Sequence, residues 1–202
     1  ITEKAPVVDV ELGYRAYSFA DDRFGAVLAL SHILGGGMSS RLFTHVREDR
    51  ALVYEIWAFP VGYSDTGSVS VGLSVDTGNL VEAVGATLSV VEEFRHKGVD
   101  VDELDRYKEG VRCGMEILGD RPDQLADWLG KQEVLISPET LMTPEEFAAR
   151  QESLTRDQLH EVMADVFSAD NAHLAIVGPF GEGEHRRLAE LFPAEEASEN
   201  LR

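Results

Sequence analysis

Cysteine and basic residues are both scarce in this chain of 202 residues. The single cysteine, Cys113, excludes a disulfide within the chain, and its helical setting favours an apolar packing residue over a nucleophile. Only 18 lysines and arginines stand against 37 aspartates and glutamates, which gives a net charge of −19. This balance disfavours nucleic acid and anionic membranes as partners. It suits a basic peptide, or simply a soluble acidic protein, and composition does not decide between the two.

Long hydrophobic runs are also missing. No apolar run approaches the roughly 20 residues that cross a bilayer, so the sequence predicts no membrane span. The apolar content of 44% and aromatic content of 8% are typical of a folded soluble protein. Residues 1–6 lack the pattern of a secretion signal and begin with Ile1, so we expect a piece of a longer protein. The compartment stays open between cytoplasm and periplasm.

Metal-binding motifs are absent as well. The six histidines are His32, His45, His96, His160, His173 and His185. None of them has the His-x-x-Glu-His or His-Glu-x-x-His spacing that places two imidazoles on one helical face. His160 and Glu161 begin the second pattern, but Ala164 stands at the position of the second histidine. We therefore expect no metal site in this chain.

Strand patterns and helix patterns are separated along the chain. The strand patterns cover residues 7–19, 53–63, 67–75 and 171–177, with a hairpin turn at 63–67. Helix patterns fill most of the remainder, with capping sequences at Asp100, Thr143 and Thr155. This order predicts an α+β fold with two layers, in which an antiparallel-rich mixed sheet has helices packed on one face. We expect one domain over 1–180 and a weakly docked or frayed tail over 181–202.

The most unusual segment is the run of three glycines at 35–37. It ends an apolar helical pattern and precedes a short helix that Ser39 or Ser40 could cap. The run lacks the Gly-Lys-Ser/Thr ending of a phosphate-binding loop. No ordinary helix connection needs so much backbone freedom, so we expect a mobile turn.

Arg47 and Tyr54 follow this turn, seven residues apart, across the predicted change from helix to strand. A cation and a phenol beside a flexible turn could grip a peptide carbonyl group. Each also has a purely structural explanation. Arg47 could lie on an exposed helix face, and Tyr54 could place its ring in the core.

The setting of these two residues carries a family resemblance. Residues 35–43 read Gly-Gly-Gly-Met-Ser-Ser-Arg-Leu-Phe, and residues 46–54 read Val-Arg-Glu-x-Arg-x-Leu-x-Tyr. This sequence resembles the second, non-metal-binding domain of the pitrilysin/insulinase zinc peptidases, whose bacterial members are similar to the mitochondrial processing peptidase. The helix start at 99–104 and the closing strand at 174–179 extend the resemblance over nearly the whole chain. Ala51 and Val53 depart from it, because the family often carries Gly and Ala there, and we expect a stiffer or narrower turn before Tyr54.

The resemblance implies the inactive, carboxyl-terminal half of a zinc-dependent metallopeptidase, with the zinc held by a separate His-x-x-Glu-His domain or subunit. Tyr54 would donate a hydrogen bond to the peptide oxygen that becomes negative, and Arg47 would hold a neighbouring carbonyl. The implied substrate-binding residues are Gly35, Gly36, Gly37 and Ser39, and we expect their turn to face the peptide cleft. The alternative is a non-catalytic structural or assembly homologue of the same fold. A stand-alone peptide-binding module has no positive feature in the sequence.

Overall fold

One sheet of four strands organises the part of the chain that this computed structural model describes, residues 7–135 and 141–192. The strands are β1 (Val7–Ala16), β2 (Glu55–Gly62), β3 (Gly67–Asp76) and β4 (Ala172–Val177). Their order is β2-β3-β1-β4, so β1 pairs with both β3 and β4. Every pairing among these described strands is antiparallel. This agrees with the antiparallel-rich sheet that we predicted from the sequence.

Seven α-helices lie within the described ranges. They are α1 (Phe24–Gly35), α2 (Leu80–Lys97), α3 (Val101–Gly119), α4 (Pro122–Leu135), α5 (Pro144–Glu152), α6 (Arg156–Val166) and α7 (Glu182–Leu191). Helices α1, α2 and α6 pack against the sheet, and α6 also contacts both α1 and α2. The α+β class predicted from the sequence is confirmed.

The sheet has a covered face and an open face because its side chains alternate. In β1, Val8, Val10 and Leu12 are buried beneath the helices, and the residues between them are exposed or half-buried. The rings of Phe94 and Phe167 complete the core on the helical side. Burial of a side chain of this size stabilises the fold by about 1.5–3 kcal/mol, so the covered face holds the domain together.

Local signals define most element boundaries. The Thr143 hydroxyl accepts a hydrogen bond from the Glu146 amide at 3.2 Å, and Thr155 caps α6 in the same way. The predicted hairpin turn is closed by the Tyr63 amide, which donates to the Thr66 carbonyl at 2.8 Å. These capping and turn predictions are confirmed because each depends on residues that are close neighbours in sequence.

The end of the described chain forms α7, which packs on α2 and buries Leu188. Most of its other residues are exposed, so Leu188 is its main attachment to the core. Residues 193–202 of the predicted tail lie outside the described ranges. None of the helices described is long and apolar enough to cross a membrane.

Candidate functional site

The glycine run divides into one buried and two exposed residues. Gly35 is the last residue of α1 and is buried, and a Cβ added there would overlap the backbone nitrogen of Ala58 in β2. Its missing side chain allows α1 to approach β2 closely, so the predicted turn begins at Gly36 and not at Gly35. Gly36 and Gly37 are exposed, and nothing in the described chain lies within 4 Å of a Cβ added at Gly37.

The turn is closed by Ser40, while Ser39 faces solvent. The Ser40 hydroxyl is buried and donates to the Gly37 carbonyl at 2.6 Å. The Ser40 carbonyl in turn accepts a hydrogen bond from the Thr44 amide at 3.0 Å, which starts the next helical segment. Among the predicted substrate-binding residues, Gly36, Gly37 and Ser39 are therefore the accessible ones.

Arg41 anchors the far side of this turn to α3. Its guanidinium forms two hydrogen bonds with the Glu103 carboxylate, at 2.7 and 2.6 Å, and one with the Gly98 carbonyl at 2.8 Å. Both side chains are nearly buried, with 13% and 14% of their surface exposed. Burial opposes the charge on Glu103, but the hydrogen bonds from Arg41 and the Asp100 amide outweigh it and hold its pKa below the ordinary value. The contact fixes the start of the segment that carries Arg47.

That segment, Phe43–Glu48, is a π-helix. The Asp49 amide donates to the Thr44 carbonyl at 2.9 Å, five residues back, and Val46 is buried beneath the turn. Arg47 is exposed, and its guanidinium carbon lies 4.8 Å from the centre of the Phe43 ring. It forms no ion pair with any described residue, so its planar fork of donors is available. Single π-turns are frequent at functional sites.

The segment ends in a left-handed cap at Ala51, whose φ is 51°. The Ala51 amide donates to the Arg47 carbonyl at 3.0 Å, and the Leu52 amide donates to the Val46 carbonyl at 3.3 Å. Glycine is the usual residue in such a cap because a Cβ strains the left-handed conformation. The family resemblance led us to expect Gly at this position, and the left-handed backbone gives a physical reason for that expectation.

Replacing Ala51 with glycine should therefore stabilise the fold. The strain of about 1 kcal/mol at a left-handed alanine is relieved, and part of the gain is offset by the greater freedom of glycine in the unfolded chain. We expect the Ala51→Gly variant to gain about 0.5 kcal/mol in urea unfolding. The matched control is Ala149→Gly inside α5, which should lose about 1 kcal/mol. A loss at both positions would show that Ala51 is not strained.

Tyr54 lies just before β2 and outside the core. Half of its surface is exposed (50%), and its hydroxyl donates to Asp76 Oδ2 at 2.6 Å. This hydrogen bond, with some desolvation, raises the pKa of Tyr54, so the phenol stays protonated and can donate at neutral pH. Arg47 and Tyr54 form no hydrogen bond or ring contact with each other in the described structure. They lie on either side of the left-handed residue Ala51.

Asp76 is a functional candidate that sequence reasoning missed. It is the last residue of β3, and no local motif marks it. The register of the hairpin could have identified it. Gly62 pairs with Gly67, and following the two strands away from the turn places Tyr54 opposite Val75. Tyr54 is then one residue from Asp76 across the strand pair.

The open face of the sheet adjoins this pair. Its apolar residues include Trp57 and Phe59, which are 42% and 60% exposed. The Trp57 indole lies directly over Gly72, where a side chain would overlap it. By strand alternation the same face carries four carboxylates, those of Asp9, Glu11, Glu55 and Asp76. The face is thus both aromatic and acidic.

A zinc site does not fit the described part of the chain. Within residues 7–135 and 141–192, no group of three or more His, Cys, Asp or Glu side chains is placed to hold a metal ion. The carboxylates on the open face therefore do not converge as metal ligands. The side chains of Arg47 and Tyr54 offer hydrogen-bond donors, and neither is an ordinary zinc ligand.

Comparison with known proteins gives a consistent result. The family model described as the peptidase M16 inactive domain matches residues 1–111. An uncharacterized zinc protease of Streptomyces coelicolor is 30% identical over 188 residues, covering 93% of this chain and 39% of that protein. The uncharacterized zinc protease YmxG of Bacillus subtilis is 24% identical over 170 residues, covering 84% of this chain and 41% of that protein. The chain spans about two fifths of the length of these relatives.

Solved structures share the fold. A peptidase M16 inactive domain from Pseudomonas fluorescens aligns with a TM-score of 0.73 at 23% identity, over 87% of this chain and 42% of that one. A protease from Helicobacter pylori aligns with a TM-score of 0.74 at 18% identity, over 86% of this chain and 41% of that one. At these identities the structures support the architecture alone.

Proposed function

This chain belongs to the peptidase M16 inactive domain family, and on that premise we propose that it supplies substrate-binding and oxyanion-stabilising groups to a separate catalytic domain. The zinc and the water-activating base belong, in this proposal, to a His-x-x-Glu-His domain outside the chain. The substrate is a peptide, and the acidity of the chain favours a basic one.

The observation that carries the proposal is that Arg47 and Tyr54 are both exposed and lie on either side of the strained residue Ala51. Arg47 lies in a π-helix, and Ala51 between them adopts a left-handed conformation. Unfavourable backbone conformations persist where the surrounding structure enforces them, and they cluster at functional sites. A residue that served only the core would have no need of this geometry.

Tyr54 is suited to donate to an oxygen that becomes negative during reaction. A neutral phenol donates one hydrogen bond, and that bond strengthens as charge builds on the acceptor. Since its pKa is raised, Tyr54 keeps its proton over the neutral pH range. Removing a comparable donor from an oxyanion site costs about 3 kcal/mol of transition-state stabilisation.

Arg47 is suited to hold the peptide backbone in register. Its guanidinium presents a rigid fork of donors, which is exposed and lies over the Phe43 ring. Peptide carbonyl oxygens are its natural acceptors. Holding the substrate beside the reacting bond converts binding energy into correct orientation.

The open face gives a place for the rest of the peptide. Trp57 and Phe59 provide apolar contact on β2, where Glu55 lies beside them, and the carboxylates of Asp9 and Glu11 lie on the same face two strands away. Lysine and arginine side chains have both an apolar stem and a charged end, so they match a surface of this composition. The accessible turn residues Gly36, Gly37 and Ser39 complete the proposed peptide site.

The proposal that zinc and catalysis belong to a separate domain can be tested with this chain by itself. Dialysed against trace zinc, the chain should retain no stoichiometric metal, and it should cleave no peptide until a His-x-x-Glu-His domain is added. Metal analysis and a peptide-cleavage assay measure the two parts. One tightly held zinc per chain would overturn the assignment. Normal turnover by the His-x-x-Glu-His domain without this chain would favour the scaffold alternative.

A further inference from the structure

The Tyr54 hydroxyl is already occupied in this structure. Its single proton is donated to Asp76 Oδ2 over 2.6 Å, a length typical of a charge-assisted hydrogen bond. A phenol has one O–H and no second donor. The same hydroxyl cannot make a full hydrogen bond to Asp76 and to a peptide oxygen at once.

We propose that Asp76 competes with the substrate for the Tyr54 hydroxyl, so that the peptide must displace this carboxylate before Tyr54 can act. The inference rests on the proposed role of Tyr54. It adds that, before the peptide binds, Asp76 holds the Tyr54 hydroxyl. Asp76 touches no reacting atom in this scheme and acts chiefly through Tyr54.

Electrostatics gives the competition its direction. The Asp76 carboxylate lies within hydrogen-bond distance of the Tyr54 hydroxyl. A peptide oxygen that accepts from the same hydroxyl and gains negative charge would therefore lie close to Asp76, and the two negative charges would repel each other. Asp76 therefore cannot assist Tyr54 by remaining in place. The hydroxyl has to turn away from Asp76 for the donation to be productive.

The surroundings allow that rotation. Tyr54 is half exposed and precedes the regular part of β2, so its ring is not fixed by core packing. Asp76 begins the short 3₁₀ turn Thr77–Asn79, and in the described chain its side chain forms no capping bond to that turn. Neutralising Asp76 should consequently leave the fold intact and change only the contact with Tyr54.

The decisive variant is Asp76→Asn in the enzyme assembled from this chain and its catalytic domain. An amide is a weaker acceptor than a carboxylate, so the hydroxyl is released more readily. We expect kcat/KM to rise about threefold, which is the modest change expected for an exposed hydrogen bond. The peptide substrate should contain no lysine or arginine, so that loss of a negative charge does not alter its attraction to the surface.

Two controls distinguish the release of the Tyr54 hydroxyl from a general effect of removing a carboxylate. Asp165 accepts a hydrogen bond from the Tyr17 hydroxyl in the same manner, on the remote helix α6, so Asp165→Asn should leave kcat/KM unchanged. In a Tyr54→Phe background, Asp76→Asn should raise kcat/KM much less, since the hydroxyl under competition is gone and only the direct repulsion between Asp76 and the peptide oxygen remains. Asp76→Ala gives a second variant should the asparagine disturb folding.

A measurement on the chain alone reports the contact without activity. The ultraviolet titration of tyrosine, taken as the difference between the chain and its Tyr54→Phe variant, follows the ionisation of Tyr54. Asp76→Asn should lower the pKa of Tyr54 toward its ordinary value, because the carboxylate that opposes ionisation is removed.

The outcomes are distinguishable. A rise in kcat/KM that depends on Tyr54 supports competition. An unchanged or lower kcat/KM in Asp76→Asn, in an enzyme that still loses activity on Tyr54→Phe, overturns competition and leaves the proposed function standing. If Tyr54→Phe changes nothing, the proposed role of Tyr54 fails, and the competition fails with it.

Discussion

Tyr54→Phe, introduced into the assembled two-domain enzyme, should lower kcat and kcat/KM together by about 10²-fold with no change in folding. The substitution removes one hydroxyl and keeps the ring. If that hydroxyl donates only when negative charge develops on the peptide oxygen, its loss raises the barrier without weakening substrate binding, so KM stays nearly constant. Steady-state kinetics on folded enzyme, with circular dichroism and thermal unfolding as checks, measures the effect.

Tyr63 provides the matched control for this variant. It is 55% exposed, lies in the same hairpin, and has no assigned role in the peptide site. Tyr63→Phe should leave turnover unchanged. Equal kinetics for both variants, or a Tyr54 effect confined to thermal stability, would support a scaffold role for the chain.

Arg47→Ala should lower kcat/KM by about 10²-fold, chiefly through a higher KM. Arg47 is proposed to hold the substrate backbone, and that contact exists before the reaction as well as during it. Arg47→Lys should restore little, because an ammonium group lacks the planar fork of the guanidinium. Kinetics over a wide range of peptide concentration separates the two constants.

The neighbouring Arg50 tests whether charge alone explains such a result. It is exposed and pairs with Glu82 at 3.5 Å, so Arg50→Ala removes the same charge three residues away. We expect kinetics close to those of the unmodified enzyme. If Arg50→Ala and Arg47→Ala are equally impaired, Arg47 contributes to the overall field and not to a specific contact.

Much of the fold could be predicted from the sequence because its signals are local. Alternation in β1, the turn between Tyr63 and Gly67, and the caps at Thr143 and Thr155 all depend on residues within a few positions of each other. Such patterns determine where an element begins, where it ends and which side it buries. The order of elements then leads to the α+β class.

The details of the candidate site could not be predicted because they depend on contacts between distant segments. Gly35 is required by the close approach of α1 to β2, and not by the turn that follows it. Arg41 meets Glu103 across 62 residues, and no sequence pattern pairs them. The π-helix before Ala51 departs from the α-helical periodicity on which sequence reasoning relies.

The position of β1 between β3 and β4 has a consequence for how the chain acquires its structure. β1 comes from the beginning of the chain and β4 from near its end, yet they are hydrogen-bonded neighbours. During synthesis β1 and β3 can pair early, but the edge of β1 that faces β4 stays unpaired until β4 emerges. Bringing such remote segments together slows folding, and an open strand edge invites association with other chains. The interval before β4 arrives is therefore the stage at which this domain is most exposed to aggregation.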